Sequence, residues 1–188
     1  MSNAVLVTGG FDPLHKGHIE YFMEAKKLAD KLIVGLNSDH WLTRKKGKPF
    51  MSLENRSSII QNLSMVDEVI MYNDEDDTSC HAIEQVLHTH DEVIFANGGD
   101  RIITNIPEYD TFKENGRVKF VCNVGGDKTE SSSWLLDKWK SPSTIRKWGY
   151  YKDLYMGKGF KVKELVIKPF SCLSMPVSYT HLTLPTNQ

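Results

Sequence analysis

The stretch TGGFDPLHKGH, residues 8–18, decides the expected fold, because a glycine turn joins a strand pattern to a helix pattern there. The apolar run Ala4–Thr8 precedes it and predicts a strand that is covered on both faces. A helix pattern starts near Gly17 and continues to Ala29. We therefore expect the chain to open with a strand–helix unit of a parallel sheet.

The same alternation continues through the first three quarters of the chain. Further strands are predicted at Lys31–Leu36, Val66–Tyr72, Asp91–Ala96 and Arg117–Cys122. Further helices are predicted at Glu54–Leu63, Thr78–His88, Ile106–Asn115 and Ser131–Trp139. This order predicts a Rossmann-like, doubly wound α/β fold in three layers, with a five-stranded parallel sheet between the helices. Ligands of such sheets bind at the carboxyl ends of the strands, so we expect the site in the loops after strands one, four and five.

The chain changes character after this α/β domain, which we expect to span residues 1–139. Residues 140–176 hold a turn-like Ser-Pro-Ser segment and a lone strand pattern at Phe160–Pro169 with no evident partner, so they predict a poorly packed extension. Residues 177–188 begin VSYTHLTLPT, which looks like the translation of a common sequencing-library adapter, and we leave them out of the fold prediction.

Composition excludes several classes of protein. The 188 residues include 23 Lys and Arg against 24 Asp and Glu, a formal charge of −1, whereas nucleic-acid and anionic-membrane binders need a basic surplus. The three cysteines form no close-spaced framework, which favours a reducing compartment. No apolar run approaches the roughly 18–20 residues of a membrane helix. We expect a cytoplasmic protein that binds neither nucleic acid nor membrane.

The first loop carries the chemistry. Gly9 and Gly10 allow the backbone to approach a ligand closely, and the N–H groups at the start of the following helix suit a phosphate. His15 and His18 flank Gly17, and imidazoles can stabilise negative charge that grows during phosphoryl or nucleotidyl transfer. The alternatives are a pair of surface histidines or a zinc site, but no Cys or carboxylate cluster completes a zinc site. We therefore predict no metal site made by the protein alone.

TGGFDPLHKGH is similar to the signature of the cytidylyltransferase-like nucleotidyltransferase superfamily, over about residues 4–138. Glycerol-3-phosphate cytidylyltransferase and the adenylyltransferase half of the bifunctional heptose-phosphate enzyme are the branches that it resembles. Further segments fall in the family's order: LIVGLNSDHWL (32–42), the lysines before ENR (54–56), VDEVI (66–70), GGD (98–100) and GGDKTESSS (125–133).

The resemblance implies roles for individual residues. Catalysis would involve His15, His18 and Lys45. The nucleotide would contact Gly9, Gly10, Phe11, Asp12, Gly17, Gly99, Asp100, Arg101, Ser131, Ser132 and Ser133. The second substrate would contact Asp39, Lys46, Lys48 and Arg56, with Arg56 as a fork for its phosphate. The alternatives are a solvated basic loop for the lysines, an ordinary surface arginine for Arg56, a tight turn at residues 100–101 and a helix cap for the serines.

The chain departs from the family pattern at two places. Its closing motif is E-S-S-S rather than G-x-S-T-T, and the arginine that precedes it in the cytidylyltransferase branch is missing, so CTP and ATP both stay open. The acidic run Asp74–Asp77 matches no motif and is interpreted as a solvated loop. Separately, residues 145–176 resemble the opening of the cupin domain of type II mannose-6-phosphate isomerases.

The resemblance implies an enzyme that uses Mg²⁺ and transfers CMP or AMP from CTP or ATP to a small phosphorylated polyol or sugar phosphate. A homodimer is possible by analogy with relatives. The alternative is a nucleotide-binding or regulatory module without turnover. A redox Rossmann protein is disfavoured, because the first loop is not G-x-G-x-x-G.

Overall fold

The structure is a computed structural model that describes residues 3–99, 101–126, 130–140 and 143–172. Its contacts divide the chain after Leu136 into two compact units. The first unit holds the α/β fold and the second holds a small antiparallel sheet.

The first unit contains a five-stranded sheet in which all strands are parallel. The strands are β1 (Asn3–Gly9), β2 (Lys31–Leu36), β3 (Glu68–Met71), β4 (Glu92–Gly98) and β5 (Val118–Val124). Their order is β3-β2-β1-β4-β5, so β1 lies between β2 and β4 and the chain changes direction at its carboxyl end. The Rossmann-like fold is confirmed, and the first loop lies at the switch point where such sheets bind ligands.

In the described part of the chain, six α-helices accompany the strands, and a short 3-10 helix spans Ile103–Asn105. They are α1 (Lys16–Lys26), α2 (Asp39–Lys46), α3 (Leu53–Gln61), α4 (Cys80–Leu87), α5 (Pro107–Phe112) and α6 (Ser132–Lys140). Helix α2 is absent from the sequence prediction, which left its lysines in a loop. Ser38 caps its start by accepting a hydrogen bond from the Trp41 N–H at 3.0 Å, and Gly47 ends it with a φ of +85°.

Side chains alternate between two apolar clusters on the two faces of the sheet. On one face, Leu6 of β1 and Phe95 of β4 belong to the cluster that contains Ile83 of α4. On the other face, Val5 of β1 belongs to the cluster that contains Phe22 of α1. Both faces are covered, which explains why the strands are continuous apolar runs rather than alternating ones.

The second unit is a three-stranded antiparallel sheet of β6 (Ser143–Arg146), β7 (Gly149–Gly157) and β8 (Phe160–Ile167). The prediction of a lone strand at Phe160–Pro169 is therefore wrong, because β7 and β6 supply partners. β7 was missed in the sequence prediction because its polar and aromatic residues, GYYKDLYMG, do not form a continuous apolar run. Every residue of β8 is exposed, so the described part of this sheet builds no core on that strand. The adapter-like residues 177–188 lie outside the described residues.

None of the helices in the described part of the chain is long and apolar enough to span a membrane.

Candidate active site

A cavity of about 350 Å³ opens at the carboxyl ends of β1, β4 and β5. It lies where the sheet order predicts a ligand. Many of the residues proposed from the sequence line it: Gly9, Gly10, Phe11, His15, Gly17, His18, Lys46, Gly99, Arg101, Ser131, Ser132 and Ser133. Asp100 lies outside the described residues.

The two histidines form a stacked pair at the start of α1. His15 is the residue that precedes the helix and His18 lies in its first turn, which places the ring centroids 3.7 Å apart with 23° between the planes. Phe11 meets the His18 ring edge-on at 5.0 Å. A Cβ atom on Gly17 would lie 3.3 Å from the His15 ring, so the glycine allows that ring to rest against the helix.

Burial controls the charge of His18. It lowers the pKa of His18 from 6.5 to about 3, and the nearby His15 and Lys46 act in the same direction. His18 is therefore neutral at neutral pH, and its buried Nδ1 finds no hydrogen-bond partner among the described residues. Glu130 brings a carboxylate oxygen to 3.8 Å from His15 Nδ1. An anion that enters the cavity would consequently meet one neutral imidazole and one that faces a carboxylate.

Lys46 brings a positive charge into the cavity from the last residue of α2. Its Nζ donates a hydrogen bond to the backbone carbonyl of Asp12 at 2.9 Å, and burial lowers its pKa. Lys45 and Lys48 are exposed, and Lys45 places Nζ 5.6 Å from the Trp41 ring centroid. The helix thus directs Lys46 rather than Lys45 toward the cavity, and Lys48 follows the helix as an exposed residue.

Asp12 anchors the first loop through hydrogen bonds to the backbone. Its side chain is fully buried, and its carboxylate accepts hydrogen bonds from the backbone N–H groups of Phe50 at 2.7 Å and Met51 at 2.8 Å. The loop is thereby tied to the segment that leads into α3.

Arg56 is buried and joins several loops through hydrogen bonds to their backbone carbonyls. It is 1% exposed and donates to the carbonyls of Gly10 at 2.8 Å, Asn37 at 2.9 Å and Met51 at 3.3 Å. It also forms an ion pair with Asp39 at 2.6 Å, and Asp39 accepts from the Leu53 N–H. This geometry differs from the expected fork for a substrate phosphate, because α3 turns Arg56 toward the sheet and protein oxygens occupy its donors. We interpret Arg56 and Asp39 as residues that position the loops.

The start of α6 also lines the cavity, next to the first loop. Ser132 is buried and its Oγ donates to the carbonyl of Pro13 at 2.9 Å, across 119 residues of sequence. Ser131 and Ser133 line the cavity beside it. The two segments that were expected to bind phosphate therefore meet.

The sequence interpretation missed several lining residues, among them Thr8, Glu20, Tyr21, Asn97 and Glu130. Tyr21 lies one turn beyond the histidines on α1, and its hydroxyl donates to the carbonyl of Ala96. The helical period could have placed Glu20 and Tyr21 near the loop, whereas nothing local marks Asn97.

Asp74 is the clear correction to the sequence interpretation. Residues 75–77 are exposed as expected, but Asp74 is 3% exposed and accepts hydrogen bonds from the N–H of Ser38 at 2.7 Å and its Oγ at 2.8 Å. β3 pairs with β2, so the loops that follow the two strands leave the sheet side by side.

Within residues 3–99, 101–126, 130–140 and 143–172, no group of three or more His, Cys, Asp or Glu side chains could hold a metal ion.

Known proteins resemble this chain in sequence and structure. The profile of the family described as Cytidylyltransferase-like matches residues 6–164. The bifunctional protein HldE of Helicobacter pylori strain P12 is 45% identical over 138 residues, which cover 72% of this chain and 27% of that protein. HldE of Blochmanniella floridana is 38% identical over 136 residues, covering 71% and 26%. The chain therefore spans about a quarter of the length of these relatives.

A solved structure shares the fold of this chain. The lipopolysaccharide core biosynthesis protein from Thermoplasma volcanium superposes with a TM-score of 0.51 at 30% identity, covering 65% of this chain and 97% of that one. Together with the family match and the loop geometry, these likenesses show that the chain belongs to the cytidylyltransferase-like family of nucleotidyltransferases.

Proposed function

We propose that the chain transfers CMP or AMP from CTP or ATP to the phosphate of a small phosphorylated sugar or polyol. The observation that carries this proposal is the meeting, in one cavity, of the stacked His15–His18 pair, Lys46 and the start of α6. Each of these groups suits a phosphate, and together they suit a chain of phosphates.

The nucleotide triphosphate, with Mg²⁺, would lie along the first loop. His15, His18 and the first N–H groups of α1 would face its phosphates, and Lys46 would approach from the other side of the loop. Gly99 and Arg101 follow β4 and line the same cavity, where they would face the ribose or base. In this orientation Ser131, Ser132 and Ser133, at the start of α6, would also contact the phosphates.

The reaction balances without a covalent protein intermediate. An oxygen of the acceptor's phosphate attacks the α-phosphorus, a new phosphoanhydride bond forms, and the bond from the α-phosphorus to the bridging oxygen breaks. Pyrophosphate leaves with the bound Mg²⁺. The protein would contribute alignment and charge stabilisation: Lys46 by its positive charge and neutral His18 by an N–H hydrogen bond.

The relatives support a sugar phosphate as acceptor. One solved relative is named a lipopolysaccharide core biosynthesis protein, and it matches over 97% of its own length. The HldE proteins are named bifunctional, and this chain covers about a quarter of each, so the proposal concerns only the nucleotidyl transfer.

A second candidate is a nucleotide-binding module without turnover. The observation that favours it is Glu130, whose carboxylate lines the phosphate end of the cavity at 3.8 Å from His15 Nδ1. A negative charge there opposes the build-up of charge on a reacting phosphate.

Pyrophosphate release distinguishes the two candidates. CTP and ATP would each be combined with Mg²⁺ and with glycerol-3-phosphate or a panel of sugar-1-phosphates. We expect turnover for at least one pair, a loss of about a hundredfold or more in His18→Ala, and no change in His88→Ala, which alters an exposed histidine after α4. Nucleotide binding without release for every pair would favour the module, and full turnover in His18→Ala would contradict the mechanism.

A further inference from the structure

The acidic run Asp74–Asp77 matches no family motif, yet its first residue occupies a defined place at the start of α2. Asp74 is buried, and one carboxylate oxygen accepts from the N–H of Ser38 at 2.7 Å and from the side-chain amide of Asn37 at 3.2 Å. The other oxygen accepts from Ser38 Oγ at 2.8 Å. Three donors from the segment that starts α2 therefore converge on one carboxylate.

These contacts fix the cap of the helix. Ser38 Oγ donates to Asp74 and at the same time accepts from the Trp41 N–H at 3.0 Å, so its hydroxyl is oriented by both partners. A carboxylate at a helix N-terminus is also favoured by the helix dipole. The start of α2 is thus held by charge-assisted hydrogen bonds, which are stronger than neutral ones.

The same loop also holds α2 further along its length. Arg44, in the last turn of the helix, donates to the backbone carbonyl of Asp74 at 2.6 Å and to the Asp77 carboxylate at 3.1 Å. The Asp77 pair is exposed and contributes little by itself. The hydrogen bond from Arg44 to the Asp74 carbonyl is a second attachment between this loop and α2. The loop after β3 therefore contacts both ends of the eight-residue helix.

The position of α2 matters in the cavity. Lys46, its last residue, reaches the cavity and the carbonyl of Asp12. Leu42 packs so closely on the first loop that a Cβ atom added to Gly10 would lie 2.8 Å from its Cδ2 atom. A shift of α2 would therefore move both the Lys46 ammonium group and the Leu42 side chain that packs on the first loop.

We infer that Asp74 is a positioning residue, which holds α2 so that Lys46 faces the nucleotide phosphates. This inference rests on the proposed function for its ligand, but the placement of α2 can be tested without one. Asp74 acts through the helix, at the end of α2 opposite Lys46, and it makes no contact with substrate in this role.

The first experiment measures hydrogen exchange of the α2 amides in the free chain. Asp74→Asn keeps the shape of the side chain but turns one of its two acceptor oxygens into a donor, so at least one of the three donors from Asn37 and Ser38 loses its acceptor. We expect the amides of residues 39–46 to exchange about tenfold faster, while those of β1 and β4 keep their rates. Ser38→Ala should act in the same direction and more mildly. Glu75→Gln, which alters the exposed neighbour, should leave α2 exchange unchanged.

The second experiment is a double-mutant cycle on binding of CTP and ATP, each with Mg²⁺, measured by calorimetry. We expect Asp74→Asn to weaken binding about tenfold in the wild-type background but less than about twofold beside Lys46→Met, because the effect passes through that lysine.

The outcomes separate the inference from the proposed function. Unchanged α2 exchange in Asp74→Asn, or equal weakening of binding in both backgrounds, overturns the positioning role alone. A wild-type chain that binds neither nucleotide overturns the proposed function, and with it the link to phosphates.

Discussion

The imidazole rings of His15 and His18 lie face to face, with centroids 3.7 Å apart, at the start of α1. At this distance a positive charge on His15 would disfavour a positive charge on His18, and the burial of His18 acts in the same direction. Both effects lower the pKa of His18, whereas a bound polyphosphate would raise it. The lowered pKa of His18 therefore makes the stability of the fold depend on pH.

The first prediction concerns stability against pH. The pKa of His18 falls from 6.5 to about 3 on folding, so below pH 6.5 the unfolded chain binds a proton that the folded chain refuses. This contribution leaves stability unaffected above pH 6.5 and lowers the free energy of unfolding as the pH falls toward 3, by up to about 1.4 kcal/mol per pH unit. Urea denaturation between about pH 7.5 and 4.5 measures the slope. His18→Gln should reduce it and His88→Gln should not. An unchanged slope in His18→Gln would contradict the prediction.

The second prediction compares two adjacent lysines. Lys46 reaches the cavity, whereas Lys45 is exposed beside Trp41. Replacing Lys46 by Met should weaken nucleotide binding by about tenfold to a hundredfold, because a charge-assisted contact to phosphate is lost. Lys45→Met is the matched control and should change the dissociation constant by less than about twofold. Titration calorimetry decides the matter, and a larger effect at Lys45 would reverse the assignment.

The third prediction compares two adjacent glycines, Gly125 and Gly126, with φ angles of +85° and +75°. A Cβ atom on Gly125 would also lie 2.9 Å from the Cα of Tyr21, whereas that on Gly126 would meet open space. Gly126→Ala should cost about 1 kcal/mol from its backbone conformation alone. Gly125→Ala should cost about 2 kcal/mol more, because backbone cannot move aside as a side chain can. Equal losses of unfolding free energy in urea would refute the packing argument.

The fourth prediction concerns the buried arginine. Arg56→Met would leave the carbonyls of Gly10 and Asn37 without their donor and Asp39 without its ion-pair partner. We expect a loss of about 3–5 kcal/mol in the free energy of unfolding. Asn55→Ala, at an exposed neighbouring position on α3, should stay within about 0.5 kcal/mol. If Arg56→Met retained full stability and lost only turnover, a substrate fork would be the better interpretation.

The fifth prediction concerns the second unit, in which every residue of β8 is exposed. Brief trypsin treatment should cut at the exposed Arg146 and Lys147 and leave a resistant fragment that contains the first unit. Mass spectrometry of the fragments gives the cleavage sites. A second unit that resists trypsin as long as the first would show that it is firmly packed.

Much of the sheet could be predicted from sequence, because a strand buried on both faces leaves a local mark. All five strands of the first unit were expected near their observed positions, and β2 was predicted at its observed bounds, Lys31–Leu36. Helix α2 was missed, since its polar and basic composition gives no apolar stripe, although Ser38 and Asp39 do form a cap signal.

The parts that could not be predicted depend on contacts between distant segments. Asp74 lies in an acidic run, and only its pairing with Ser38, 36 residues earlier, shows that it is buried. Arg56 looks like a surface arginine until the carbonyl of Gly10, 46 residues away, is seen beside it. Which of Lys45 and Lys46 lines the cavity depends on the orientation of α2, and the sequence prediction did not include that helix.

The hydrogen bond from Ser132 to Pro13 joins residues that leave the ribosome far apart in time. During synthesis the histidine loop leaves the ribosome before α6, with more than a hundred residues between them. A nascent chain that stops short of Ser132 would therefore lack one part of the cavity lining. Under the proposed function, nucleotide binding would have to wait for nearly the whole first unit.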